Sequence, residues 1–383
     1  MKFKTLALLL IILAVLAGTG LLITRLNRPQ GEEREMGKPL FKNLPVNDIA
    51  SVVVQAAGES VALARKGDQW VVRDRFDYPA DFNKMADLVR KFKDLKIGRS
   101  FEATDATRKR LSLKAPDDPE ASQAEKAKSL RFESDQGDPI ARILLGQTRK
   151  TGQDRAYPNG QYLMVGEEPR VYLVDQHFAL LQTSPRDWLM KELLKVPAAE
   201  VQKIICTGKD GKMPIFTLQR KTPGQDLALS DPPKDRRVDG SAVNKLAGAL
   251  SSLSLEDVEQ AVPAEDDAKT SSRLAYHLFN GTVYHVRTAR DPETEERYLM
   301  NLAVEFQAVE KETGTGGSEG SKEESKKEEK KPEKSPEEIA LEAGNQNERF
   351  RPWRFVIPEW KHDAFIMDMD KLLESPDKDK KKS

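Results

Sequence analysis

The chain has 383 residues, 38% hydrophobic and 32% charged, which is enough apolar material for two cores of ordinary size. Its 62 basic and 62 acidic side chains cancel, so no global field draws it to nucleic acid or to an acidic surface. The one cysteine, Cys206, excludes an intramolecular disulfide framework and a thiolate metal cluster.

Met1-Lys2-Phe3-Lys4 opens the chain with two basic side chains, and residues 5–23 (TLALLLIILAVLAGTGLLI) follow without a charge. A helix needs about 20 such residues to span a bilayer core, so residues 1–26 are expected to form an uncleaved signal anchor, a transmembrane helix. A cleaved signal peptide ending near Val15-Leu16-Ala17 is the competing reading, but the apolar run continues through Leu21, Leu22 and Ile23. Lys2 and Lys4 with the terminal amine outweigh Arg25 and Arg28. That bias implies a single pass through the inner membrane, with the bulk of the chain in the periplasm. Residues 27–39 are polar and aperiodic, and read as a stalk.

A first repeat is expected over 40–195. Residues 60–64 (SVALA) and 69–73 (QWVVR) flank the turn signal Lys66-Gly67-Asp68 as two strands, with Trp70 a core residue. From Asp81 the apolar residues Phe82, Met85, Leu88, Val89, Phe92 and Leu95 recur at steps of three and four, which predicts one amphipathic helix. Asp81 is its cap and Gly98 its stop. Strand-like runs follow at 129–133, 140–145, 161–165 and 170–174, with turns at Asp135-Gln136-Gly137 and Pro158-Asn159-Gly160. Residues 177–181 read as a short helix, and 185–189 (PRDWL) close the unit.

A second repeat is expected over 196–374. Asn83-Lys84-Met85-Ala86 is echoed by Asn244-Lys245-Leu246-Ala247, and Leu44-Pro45 by Val196-Pro197, in the same order. Strand-like runs recur at 276–278, 283–286, 298–302 and 355–357. Residues 311–338 hold no aromatic residue and mix charges of both signs, so they read as a disordered insert, and 375–383 as a charged tail. The fold class expected is α+β: a transmembrane helix followed by two tandem repeats. Each repeat is expected to be a largely antiparallel, meander-like sheet packed with one main amphipathic helix.

Chemistry-bearing motifs are scarce. The four histidines, His177, His277, His285 and His362, have no second ligand at metal-binding spacing, although His277 and His285 could face each other across Asn280-Gly281. No Gly-x-Ser-x-Gly elbow, phosphate loop or dinucleotide fingerprint occurs. Cys206 sits in an apolar run and reads as a small buried hydrophobe. No catalytic residue, cofactor or metal site is therefore assigned, and a carboxylate pair cannot be selected from so many acidic residues. Trp353 and Trp360 are the candidates for ligand stacking.

Several stretches together resemble a bacterial family of membrane-anchored proteins classed as a domain of unknown function: LPVNDIASVVV, GDQWVV, YPADFNKMADLVRKFKDLKIG, QYLMVGEEPRVYLVD and SPRDWLMKELL. Its members are often encoded beside ABC transporter genes of the gliding-motility type. Here Arg110-Leu111-Ser112-Leu113 stands where the family commonly has a Tyr-Gly-Leu-like step. The resemblance implies a non-catalytic accessory or scaffold role at the inner membrane, in the cell envelope, with ABC transporter subunits as partners. The alternative expectation is a periplasmic module that binds a glycan or peptide in the cleft between repeats.

Overall fold

The computed structural model describes residues 35–149, 159–208, 213–261, 273–294, 296–308 and 334–374. These fall into two compact units, one within 1–74 and 80–188, the other within 75–79 and 189–383.

In the first unit, β1 (Ser51–Ala56), β2 (Glu59–Lys66) and β3 (Gln69–Val72) form a meander. Gly67 makes one of its turns at φ 59°, a left-handed conformation that a side chain would strain. The two-residue strand β4 (Tyr78–Pro79) falls in the short segment counted with the second unit. Helix α1 (Phe82–Lys93) is capped by Asp81, whose carboxylate accepts from the backbone N–H groups of Asn83 and Lys84 at 3.0 and 3.2 Å. After it come β5 (Ile97–Glu102), α2 (Asp105–Arg110), β6 (Lys128–Glu133), β7 (Pro139–Thr148), β8 (Gln161–Val165) and β9 (Arg170–Val174). The sheet runs β3-β2-β1-β6-β7-β8-β9-β5 through these strands, and every pair is antiparallel.

Register decides which side chains share a face. Val52 opposes Phe132, Leu130 opposes Ile143, and Leu145 opposes Leu163, all buried on the side where Phe92 of α1 meets Phe132 edge-on at 5.6 Å. Full burial of a residue such as Phe92 contributes roughly 1.5–3 kcal/mol. Alternate residues point to the other face, where Leu144 opposes Met164. There the β5–β6 connection folds back and packs Leu111 and Leu113 against Met164 and Val171. Gly146 of β7 is required under it, because a Cβ there would lie 2.3 Å from the Leu111 carbonyl oxygen.

The second unit contains β10 (Glu192–Leu194), β11 (Val201–Thr207), β12 (Pro214–Gln219), β13 (Ala228–Leu229), α3 (Gly240–Ala247), β14 (Leu253–Ser254) and β15 (Asp257–Gln260). It continues through β16 (Arg273–Leu278), β17 (Thr282–Arg290), β18 (Tyr298–Phe306), α4 (Pro336–Phe350), β19 (Trp353–Ile357) and α5 (Glu359–Phe365). Its large sheet runs β13-β12-β11-β16-β17-β18-β19-β15, strand for strand the order of the first, while β10 and β14 pair separately. Asp239 caps α3 as Asp81 caps α1, accepting from Ser241 and Ala242 at 2.9 and 3.4 Å. Three helices lie on the face bearing Tyr276 and Tyr284. Tyr276 donates to the Leu246 carbonyl at 3.2 Å and meets Phe365 edge-on at 6.4 Å, and Tyr284 bonds Gln346 at 3.0 Å.

The α+β expectation is corrected: strand outweighs helix by 39% to 23%, and the architecture is mostly β. The difference comes from strands that are recognised only by distant pairing, such as β5 beside β9 and β15 beside β19. Gly98, expected as a helix stop, lies inside β5 at a register shift against β9. Residues 177–181 are not helical, and Phe82, expected on the buried stripe, is 61% exposed. The end of the expected insert belongs to α4, which opens on a capping box between Ser335 and Glu338.

The expected signal anchor at 1–26, the stalk as far as residue 34, insert residues 311–333 and the tail at 375–383 lie outside the described residues. Among the described residues no helix is long and apolar enough to cross a membrane. The longest, α4, has 15 residues against the roughly 20 a crossing needs. The single-pass inner-membrane placement is therefore withdrawn.

Candidate functional site

In the first unit the chain leaves β9 as a strap, residues 175–188, that crosses the outer edge of α1. Its only regular element is a 3-10 turn at Pro185–Trp188, and polar side chains hold it down. Lys91 donates to the His177 carbonyl, Lys128 to that of Leu181 at 2.7 Å and Lys84 to that of Asp187 at 2.7 Å. The Phe178 N–H donates to buried Gln161 Oε1 at 2.7 Å, Thr183 bonds Glu59 at 2.6 Å, and the Trp188 indole donates to the Gln182 carbonyl at 3.1 Å. Phe178 is thereby stacked on Phe92 at 4.1 Å.

A groove of about 560 Å³ lies between α1 and this strap, within the range of small-ligand and side-chain pockets. Its base is apolar, made by Leu88, Phe178, Leu181 and Trp188, and Lys84, Asp87, Lys91 and Asp187 stand around it. Beside it Leu180 projects from the strap at 82% exposure. The Lys91 ammonium lies 4.8 Å from the Phe178 ring centre, and burial holds its proton affinity below the usual lysine range. His177 Nδ1 is buried without a hydrogen-bond partner. The site can take an apolar side chain and hold a polar or anionic group beside it.

The tryptophans proposed from sequence fall elsewhere. Trp353, on β19, is half-buried with Tyr78 edge-on to it at 5.2 Å. Trp360, on α5, is 60% exposed, and the Lys361 ammonium lies 4.5 Å from its ring centre. Nothing in the sequence had marked the groove, because its walls depend on lysine-to-carbonyl bonds between distant segments.

Reactive side chains elsewhere are engaged with neighbours. Asp257 accepts from Arg75 at 2.6 and 3.1 Å, and Glu259 accepts from Arg354 at 2.6 Å and pairs with Arg297. Arg297 also reaches Asp291 at 3.1 Å. The Asp291 carboxyl is held below its ordinary range, first by the Glu293 N–H and then by Arg297. A general acid needs the opposite displacement. Cys206 is fully buried, its Sγ 3.9 Å from the Met367 carbonyl oxygen. His362 packs against Tyr298 with ring centres 4.5 Å apart. Among the described residues no group of three or more His, Cys, Asp or Glu is placed to hold a metal ion.

A family model described as Domain of unknown function (DUF4340) matches residues 70–273. No curated protein and no solved structure matches the chain.

Proposed function

The chain belongs to the DUF4340 family, whose function is unknown, and from that premise we propose that it works as a non-catalytic accessory or scaffold module. In this reading it seats an apolar side chain of a protein partner in the groove between α1 and the strap. The observation that carries the reading is the groove itself, an apolar base left open beside the exposed Leu180. Exposed apolar surface with a polar border is the signature of an interaction site. A subunit of an ABC-type transporter is the partner class that the family resemblance favours. A photo-reactive amino acid at position 180 in the full chain tests this: the expected product is a covalent link to a transporter subunit. Leu180→Glu should abolish co-purification of that subunit while leaving the melting temperature unchanged, since the side chain is almost free of neighbours. No transporter link at position 180, or full co-purification with Leu180→Glu, would sink the reading.

The alternative, a glycan- or peptide-binding module, rests on Trp360 alone. Lys361 stands over its indole, which leaves less aromatic surface for stacking. Trp360→Ala should leave binding to a panel of oligosaccharides and peptides unchanged, measured by intrinsic fluorescence of the remaining tryptophans.

A further inference from the structure

The groove between α1 and the strap carries its charge unevenly. Lys84 and Lys91 both line it, seven residues and so about 10.5 Å apart along the helix axis, with Leu88 of the apolar base between them. Both ammoniums reach across to strap carbonyls, Lys84 to that of Asp187 at 2.7 Å and Lys91 to that of His177. Among the described residues neither ammonium is paired with a carboxylate. The two ends differ in the strap residue that holds the lysine: an acid for Lys84, a histidine for Lys91. The other acid of the lining, Asp87, is engaged by Arg90 at 2.9 Å. His177 Nδ1 is buried without a hydrogen-bond partner, and a buried polar group left unpaired calls for one. The Lys91 end is therefore the end that lacks an anion.

We infer that this end of the groove takes the C-terminal residue of a protein partner, its apolar side chain on Leu88, Leu181 and Trp188 and its α-carboxylate on Lys91. This rests on the groove being the docking site proposed above, and adds which part of the partner is read. Spacing favours a chain end over an acidic side chain. The Lys91 ammonium lies 4.8 Å from the ring centre of Phe178, itself part of the apolar base, so anion and apolar group must be close together. In a terminal residue both leave the same Cα. In an extended segment the next side chain points to the opposite face, and the one after it is about 6.8 Å away. Burial strips water from Lys91 and disfavours its charge. An arriving carboxylate restores that balance through a charge-assisted hydrogen bond.

The test uses the full chain and fluorescently labelled hexapeptides: Gly-Ser-Gly-Ser-Gly-Leu with a free carboxylate, and the same peptide as its C-terminal amide. Anisotropy should show the acid bound, with affinity falling as salt is raised. The amide should bind about tenfold or more weakly, for want of the ionic partner, as should an acid ending in serine, for want of the apolar side chain. Lys91→Gln should bring the acid down to the level of the amide and leave the amide unchanged, which separates contact with the ligand from support of the strap. Should Lys91→Gln lower the melting temperature through its lost bond to the His177 carbonyl, the acid and amide on the unchanged chain decide. The inference is overturned if acid and amide bind alike, if the serine-ended acid matches the leucine-ended one, or if no peptide binds. It is equally overturned if amidated Gly-Ser-Gly-Ser-Leu-Asp binds as tightly as the acid, which would mark a reader of acidic side chains. The cross-link at position 180 reads the groove separately: where it forms while acid and amide bind alike, the docking site stands and only the recognition of a chain end falls.

Discussion

The two units use one strand order, and each places a helix capped by aspartate between the meander and the edge strand. They differ in where extra chain is inserted. In the first unit the β5–β6 connection carries α2 and covers the outer face of the sheet, while β8 and β9 are joined by a tight turn at Gly166. In the second, the β18–β19 connection is the long one, and it ends in α4 on the inner face. Side chains follow the cover. Where a segment lies close above β7, the outward positions are Leu144 and Gly146; on the equivalent strand β17 they include His285 and Arg287. A framework of paired strands thus fixes topology, and the composition of each face is set by what lies upon it.

The strongest test of that comparison lies in the core. Phe92→Ala removes a fully buried ring that touches both Phe132 and Phe178, and should cost about 3–5 kcal/mol in urea unfolding. It should also loosen the strap, seen as faster hydrogen exchange at Phe178, with no change at Tyr276. Equal loosening in both units would break the picture of separately packed cores.

The turn glycines sharpen the comparison. Gly137 and Gly281 occupy the matching β6–β7 and β16–β17 turns, at φ 86° and 88°. A Cβ on Gly137 meets nothing within 4 Å, whereas one on Gly281 would lie 2.5 Å from the Gln307 carbonyl oxygen. Gly137→Ala should therefore cost about 1–2 kcal/mol for the left-handed backbone alone. Gly281→Ala should add a further 1–3 kcal/mol or so for the clash. Equal losses, read from denaturation midpoints, would show that Gln307 yields freely.

The smallest expected effect is on pH dependence. Burial, Lys203 and His285 lower the His277 proton affinity in the folded chain, so the unfolded chain binds protons first as pH falls. Stability is fully present above the unfolded value of about 6.5 and declines below it. His277→Gln should flatten that decline between pH 7.5 and 5.5 without removing it, because His362 is displaced in the same direction. An unchanged slope would count against that displacement of His277.

How much could be read beforehand depends on the range of the interactions involved. The α1 stripe, apart from Phe82, and its Asp81 cap are local, and both were legible, as was Trp70 as a buried strand residue. Strand β5 was not, because IGRSFE alternates poorly and earns its place only by pairing with β9 far along the chain. Helix α4 carried a legible capping box at Ser335 and Glu338, but it adjoins a charged low-complexity run whose composition masked it. The groove was illegible for another reason: a lysine that bonds a distant carbonyl looks like any solvated lysine.

Arg75–Pro79 lies between β3 and α1 in the chain, yet it is grouped with the second unit. There Arg75 meets Asp257, 182 residues later, and the Tyr78 hydroxyl donates to the Met190 carbonyl across 112 residues. A nascent chain therefore exposes Arg75 and Tyr78 long before their partners leave the ribosome. The second unit cannot close as a contiguous piece, and protease cleavage or gene fission near residue 189 strands a part of it on the wrong fragment. Such long-range closure slows folding, so full-length synthesis becomes a checkpoint for the mature shape.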